Sequence, residues 1–123
     1  MSMPGSREEG KRAILITGTS TGIGKACALY LDSIGFKVFA GVRREADGNS
    51  LRKNASGRLT PVLIDITDSE SIDSALKFVS GEVGGAGLAG LVNNAGINAG
   101  GLLEFLPIAE IRNLLEVNLI GHI

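Results

Sequence analysis

Residues 17–24 read Thr-Gly-Thr-Ser-Thr-Gly-Ile-Gly. The apolar run before them (Ala13, Ile14, Leu15, Ile16) reads as a buried strand over 12–17. The segment after them, 23–34, reads as a helix with Ile23, Cys27, Leu31 and Ile34 at four- and three-residue steps and Gly35 as its stop. A strand, a glycine-rich turn and a helix in that order make an anion-binding corner. The first N–H groups of a helix have no intrahelical partner, and the helix dipole favours negative charge beside them. The three glycines have separate tasks: Gly18 lets the strand turn sharply, Gly22 lets backbone approach a pyrophosphate, and Gly24 lets the helix lie close to the strand.

The spacing is G-x-x-x-G-x-G rather than the G-x-G-x-x-G of the common dinucleotide turn. It also approaches a P-loop at Gly24-Lys25. A P-loop needs glycine at 19 and a hydroxyl at 26, where the chain has Thr19 and Ala26, so a nucleoside-triphosphate reading fails twice. The bland alternative is a plain strand-to-helix connection, which glycine-rich turns also make.

The 123 residues suffice for one domain. Twelve basic and thirteen acidic side chains give a formal charge of −1, which argues against nucleic-acid and anionic-membrane partners. Cys27 is the only cysteine, so neither a disulfide framework nor a thiolate metal cluster is available; a reducing, cytoplasmic location is expected. The start, MSMPGSREEGKR, lacks the apolar core of a signal peptide and is expected to be disordered over 1–10. No run approaches the roughly 18 apolar residues of a membrane span. Eighteen glycines and few aromatics point to an α/β fold.

Further along, 36–42 (FKVFAGV) reads as a second strand, with Arg43 and Arg44 at its carboxyl end. The polar stretch 45–57 holds at most a short helix near 50–54. The third strand is 59–64 (LTPVLI), where Pro61 suits an edge. Thr67 and Glu70 have capping-box spacing for a helix through Val83, whose apolar side is Ile72, Ala75, Leu76 and Val79. The fourth strand is 88–92 (LAGLV), followed by Asn93-Asn94-Ala95-Gly96, and Pro107 opens a last helix through Asn118. Four alternations predict a three-layer Rossmann-type parallel sheet in the order 3-2-1-4. Ligands in such sheets sit beyond the strands' carboxyl ends, where the glycine turn, Arg43, Asp65 and 93–96 all fall.

TGTSTGIG, the Asp65-Ile66-Thr67-Asp68 turn, NNAG and VNLIG together resemble the amino-terminal half of the short-chain dehydrogenase/reductase family, over about 11–121. GLVNNAGI and LEVNLIG further resemble its retinol and hydroxysteroid dehydrogenase branch. The resemblance implies an incomplete NAD(P)-binding Rossmann domain over 11–123. It also implies an enzyme that interconverts an alcohol and a ketone or aldehyde by hydride transfer, and commonly homo-oligomerises. By matching position, Gly18, Ser20, Gly22, Ile23 and Gly24 hold the pyrophosphate, Asp65 and Ile66 receive the adenine, and Asn93, Ala95 and Gly96 line the adenosine ribose. Asp65 could instead serve the following helix start, and Asn93 could tie strand ends together.

After the second strand an acid selects NAD through the ribose 2′-OH, whereas a base suits a 2′-phosphate. Here Val42 stands at the acid's place and Arg43 and Arg44 follow, which favours NADP(H), with NAD(H) open and a solvated arginine pair as the alternative. Asn118 matches the family's catalytic asparagine, which helps hold a water leading to the active-site lysine; an ordinary helix-face asparagine is the alternative. The family's serine and Tyr-x-x-x-Lys have no match in these residues. Tyr30 is the sole tyrosine, with Ile34 where lysine is needed, and His122 is the sole histidine, unsuited as base or metal ligand. These residues by themselves are therefore expected to bind cofactor without turnover. A stand-alone nucleotide-binding or regulatory module is the competing expectation; the NNAG turn and Arg43 disfavour a Rossmann-like methyltransferase.

Overall fold

The computed structural model describes residues 12–123; the expected disordered segment 1–10 and Lys11 lie outside them. Strands β1 (Ala13–Ile16), β2 (Lys37–Val42), β3 (Leu59–Leu63) and β4 (Gly90–Val92) form one parallel sheet in the order β3-β2-β1-β4. Helices α1 (Gly22–Ser33), α2 (Glu45–Arg52), α3 (Ser69–Val83) and α4 (Ile108–Asn118) alternate with the strands or follow them. Among the described residues no helix is long and apolar enough to cross a membrane.

Alternation along the strands builds two cores, one on each face of the sheet. Val38, Ala40 and Val42 point to the face covered by Ala28 of α1 and Leu51 of α2. Phe39 points to the other, with Val62, Ile64 and Ile66 against Ala75 and Val79 of α3. Helix, sheet and helix are the three layers. Pro61 lies in β3, whose outer side is an edge, so its missing N–H costs no ladder bond there.

Three local expectations need correction. The helix after β2 spans Glu45–Arg52, earlier and longer than 50–54. Glu45 and Asp47 in its first turn and Arg52 in its last complement the helix dipole. Gly48 lets α2 lie on β3: a Cβ there would come within 2.8 Å of the Pro61 ring. The cap of α3 is Asp68, whose Oδ1 accepts from the Glu70 N–H at 3.0 Å, while the Thr67 hydroxyl is turned back to donate to Asp65. Leu76 is exposed, so α3 buries the narrower stripe Ala75 and Val79, with Ile72 and Val83 packed beside it.

The apolar residues of α4 divide. Ile111, Leu114 and Val117 are half-buried, while Ile108 and Leu115 lie exposed, as does Leu119 just beyond the helix.

Candidate functional site: a glycine-walled pocket at the strand ends

The carboxyl ends of the strands open into a cavity of about 720 Å³, within the roughly 300–1,000 Å³ typical of small-ligand sites. Its first wall is the turn between β1 and α1. Gly18 and Gly22 take left-handed φ values of +68° and +60°, which a side chain would strain. No side chain caps α1 at Thr21, and the first helical bond runs from the Lys25 N–H to the Thr21 carbonyl. Gly22, Ile23 and Gly24, at the uncapped start of the helix, line the cavity. Uncapped N–H groups at a helix start are unsatisfied donors, so this wall suits an anion.

The turn is held from both sides by buried and half-buried polar residues. Thr19 is fully buried and donates both its N–H and its hydroxyl to the Gly41 carbonyl, each at 3.0 Å, which ties the turn to β2. The Thr17 hydroxyl oxygen accepts from the N–H groups of Asn94 and Ala95 at 3.1 and 3.0 Å, which ties β1 to the loop after β4. Asn94 closes the arrangement by donating its Nδ2 to the carbonyls of Gly18 (3.0 Å) and Thr17 (3.2 Å).

The second wall follows β3. Asp65 accepts at Oδ1 from the Thr67 hydroxyl (2.7 Å) and the Thr67 N–H (2.9 Å), while its own N–H donates to Ser71 Oγ. The Thr67 hydroxyl, then the Thr67 N–H, hold its carboxyl below the ordinary carboxylate value; partial burial opposes them and the Arg43 charge adds to them. Arg43 lines the cavity at the end of β2, whereas Arg44 turns to Asp47 one helical turn on, at 3.8 Å.

The cavity thus brings together Gly18, Ser20, Gly22, Ile23, Gly24, Arg43, Asp65, Ile66, Ala95 and Gly96. Arg44, Asn93 and Asn118 are not among its lining residues. Asn93 is exposed, and its neighbour Asn94 stands in the wall. Asn118 spends both ends of its amide on one residue: Oδ1 accepts from the Ile97 N–H at 2.8 Å and Nδ2 donates to the Ile97 carbonyl at 2.7 Å. It is a clamp on the loop after β4. Reading the sequence missed Thr17, Thr19 and Asn94 as builders of the site. The available signal was three small polar side chains at strand ends that must turn without burying unpaired backbone groups.

A model of the family described as short chain dehydrogenase matches residues 12–123. Retinol dehydrogenase 7 of Mus musculus is 42% identical over 110 residues, and 17-beta-hydroxysteroid dehydrogenase type 6 of Bos taurus is 44% identical over 111. Each match covers 89% of this chain and 35% of the relative, so the chain spans about a third of their length. Among solved structures, a 3-ketoacyl-(acyl-carrier-protein) reductase from Brucella melitensis complexed with NADH superposes with a TM-score of 0.83 at 26% identity. That match covers 90% of this chain and 45% of the reductase. A short-chain dehydrogenase from Streptomyces avermitilis gives 0.81 at 31%, over 89% of this chain and 39% of that one.

Proposed function

Because the chain belongs to the short chain dehydrogenase family, we propose that residues 12–123 are the cofactor-binding part of an oxidoreductase that interconverts an alcohol and a ketone or aldehyde, with NADP(H) preferred over NAD(H). The observation that carries the proposal is the uncapped start of α1 behind two left-handed glycines, opening into a cavity that Arg43 and Asp65 also line.

The residues fit a dinucleotide. The N–H groups at the start of α1 would hold the pyrophosphate; a Cβ at Gly22 would meet nothing within 4 Å, so the approach to this backbone is open. Asp65, fixed and kept ionised by Thr67, would accept from the adenine amino group, with Ile66 beside the ring. Ala95 and Gly96 would border the ribose, with Asn93 at the outer end of the same loop. The nicotinamide, when bound, supplies the hydride chemistry. Arg43 would clasp a 2′-phosphate through two parallel hydrogen bonds, and Arg44, drawn toward Asp47, would contribute charge rather than contact.

Asn118 would act by setting the loop that carries Ala95 and Gly96. Tyr30 is 64% exposed on α1 and does not line the cavity, so this chain alone should bind without turnover. The relatives named for retinol and 17-beta-hydroxysteroids make alcohols on apolar skeletons the first substrates to try. The exposed Ile108, Leu115 and Leu119 suit burial against a second subunit or a further part of the fold, and with the exposed Leu91 on edge strand β4 they favour this reading over a self-contained binding module. A single cysteine fits the cytoplasm.

Calorimetric titration with NADPH and NADH tests the proposal. Wild type should favour NADPH by roughly ten- to a hundredfold, the value of hydrogen bonds between charged groups, and Arg43→Ala should abolish that preference. Equal affinity for both cofactors overturns the NADP(H) assignment, and binding of neither overturns the whole reading.

A further inference from the structure

The chain's one histidine touches a residue of the cavity wall without lining the cavity itself. A short 3-10 turn, Ile120–His122, follows α4, and His122 Nε2 lies 2.7 Å from the Ala95 carbonyl oxygen. A carbonyl only accepts, so Nε2 carries the proton and donates. Nδ1 is buried and, among the described residues, has no partner, so a proton there would find no acceptor. The contact therefore selects the Nε2–H arrangement of the ring.

The turn also meets the opposite wall. A Cβ on Gly121 would lie 2.7 Å from the Ile66 carbonyl oxygen and 2.9 Å from that of Glu116, so only a glycine lets the turn seat there. Ile66 and Ala95 both line the cavity, on the loops after β3 and β4. The Gly121–His122 pair thus spans the two loops, touching one through packed backbone and the other through a hydrogen bond.

We propose that His122 is a positioning residue of the cofactor pocket, holding the Ala95 carbonyl through Nε2–H and so setting the spacing between the Ala95 and Ile66 loops. The identity of the ligand rests on the cofactor reading above; the contact does not. With Asn118 gripping Ile97, it gives the loop after β4 two anchors on the same helix end. Asn118 fixes the far side of Gly96, and His122 fixes the near side.

The sole histidine gives a single imidazole in a nitrogen NMR spectrum, which should show the Nε2–H tautomer. His122→Leu removes the donor and His122→Gln keeps one at similar reach. The leucine variant should exchange its 94–97 amides faster and bind NADPH about three- to tenfold more weakly, the effect of one net hydrogen bond, while glutamine stays within about twofold of wild type. An Nδ1–H tautomer overturns the proposal. So does a folded leucine variant with wild-type exchange and affinity, or a glutamine variant as impaired as leucine, which would mean that ring packing matters and the donor does not. The tautomer and the exchange rates need no ligand. Wild type that binds neither dinucleotide would therefore refute the cofactor reading while these two still decide the His122 contact.

Discussion

Gly24→Ala is the most informative single substitution in this fold. An alanine in the first turn of a helix ordinarily stabilises, by about 1 kcal/mol relative to glycine. Here the new Cβ would overlap the Gly18 carbonyl oxygen and the Asn94 Nδ2, and would lie 2.9 Å from the Gly18 carbonyl carbon. Backbone cannot swing aside as a flexible side chain can. The overlap forces α1 away from the turn and breaks the 3.0 Å bond from Asn94 to Gly18. Overpacking costs about 1–3 kcal/mol and the lost bond about 1 more, so after the propensity gain the variant should lose about 1–3 kcal/mol.

Gly81→Ala supplies the contrast. Gly81 lies within α3, has no left-handed φ, and a Cβ there would meet nothing within 4 Å, so the same change should gain about 0.5–1 kcal/mol. Urea unfolding followed by circular dichroism reads both variants, and calorimetry reads NADPH affinity. Because the turn Gly24 braces carries the proposed anion wall, its variant should also bind about tenfold more weakly, an effect of about 1.4 kcal/mol. A Gly24→Ala protein with wild-type stability and wild-type NADPH affinity would refute the close-approach argument and the wall built on it.

Asp32, only 4% exposed, accepts from the Ser56 N–H (2.8 Å) and hydroxyl (2.5 Å), and the Arg58 Nη2 donates to its backbone carbonyl. Asp32→Ala takes the acceptor from both Ser56 donors and removes the 4.0 Å contact of its carboxylate with Arg58 Nε, while the backbone carbonyl keeps its Arg58 bond. It should cost about 2–3 kcal/mol in urea unfolding, with cofactor affinity unchanged because Asp32 does not line the cavity. Thr67→Val removes the largest influence lowering the Asp65 carboxyl, so the NMR titration midpoint of Asp65 should rise. A depressed folded value means that Asp65 contributes stability above its unfolded pKa and loses it as pH falls through the folded one. The valine variant should show a smaller acid-side loss, and an unchanged midpoint would count against the Thr67 bonds.

Local rules were enough wherever the residue and its neighbours in sequence carried the whole cause. The four strands, their parallel order, the glycine turn and the edge position of Pro61 are all legible that way. An apolar run of four, a glycine stop and a missing N–H each act within a few residues. The same rules placed ten residues in one cavity, because every feature that ends a parallel strand falls on the same rim. They failed where two local signals competed. Thr67 and Asp68 are both good caps; Asp68 accepts from the Glu70 N–H, while the Thr67 hydroxyl is turned back toward Asp65. Local reading places the helix after β2 only near 50–54, because the close seat that Gly48 gives it against Pro61 appears only in the fold.

By itself the sequence determined the succession of elements, the layered parallel architecture and the rim at which the cavity opens, since periodicity and turn chemistry are properties of contiguous residues. Only the tertiary structure decided which side chains hold that rim together. Asn94 reaches Gly18, Thr19 reaches Gly41 and His122 reaches Ala95 across gaps of 76, 22 and 27 positions. Such bonds are set by which carbonyls the folded sheet leaves without partners, and no stretch of chain contains that information before the strands are side by side.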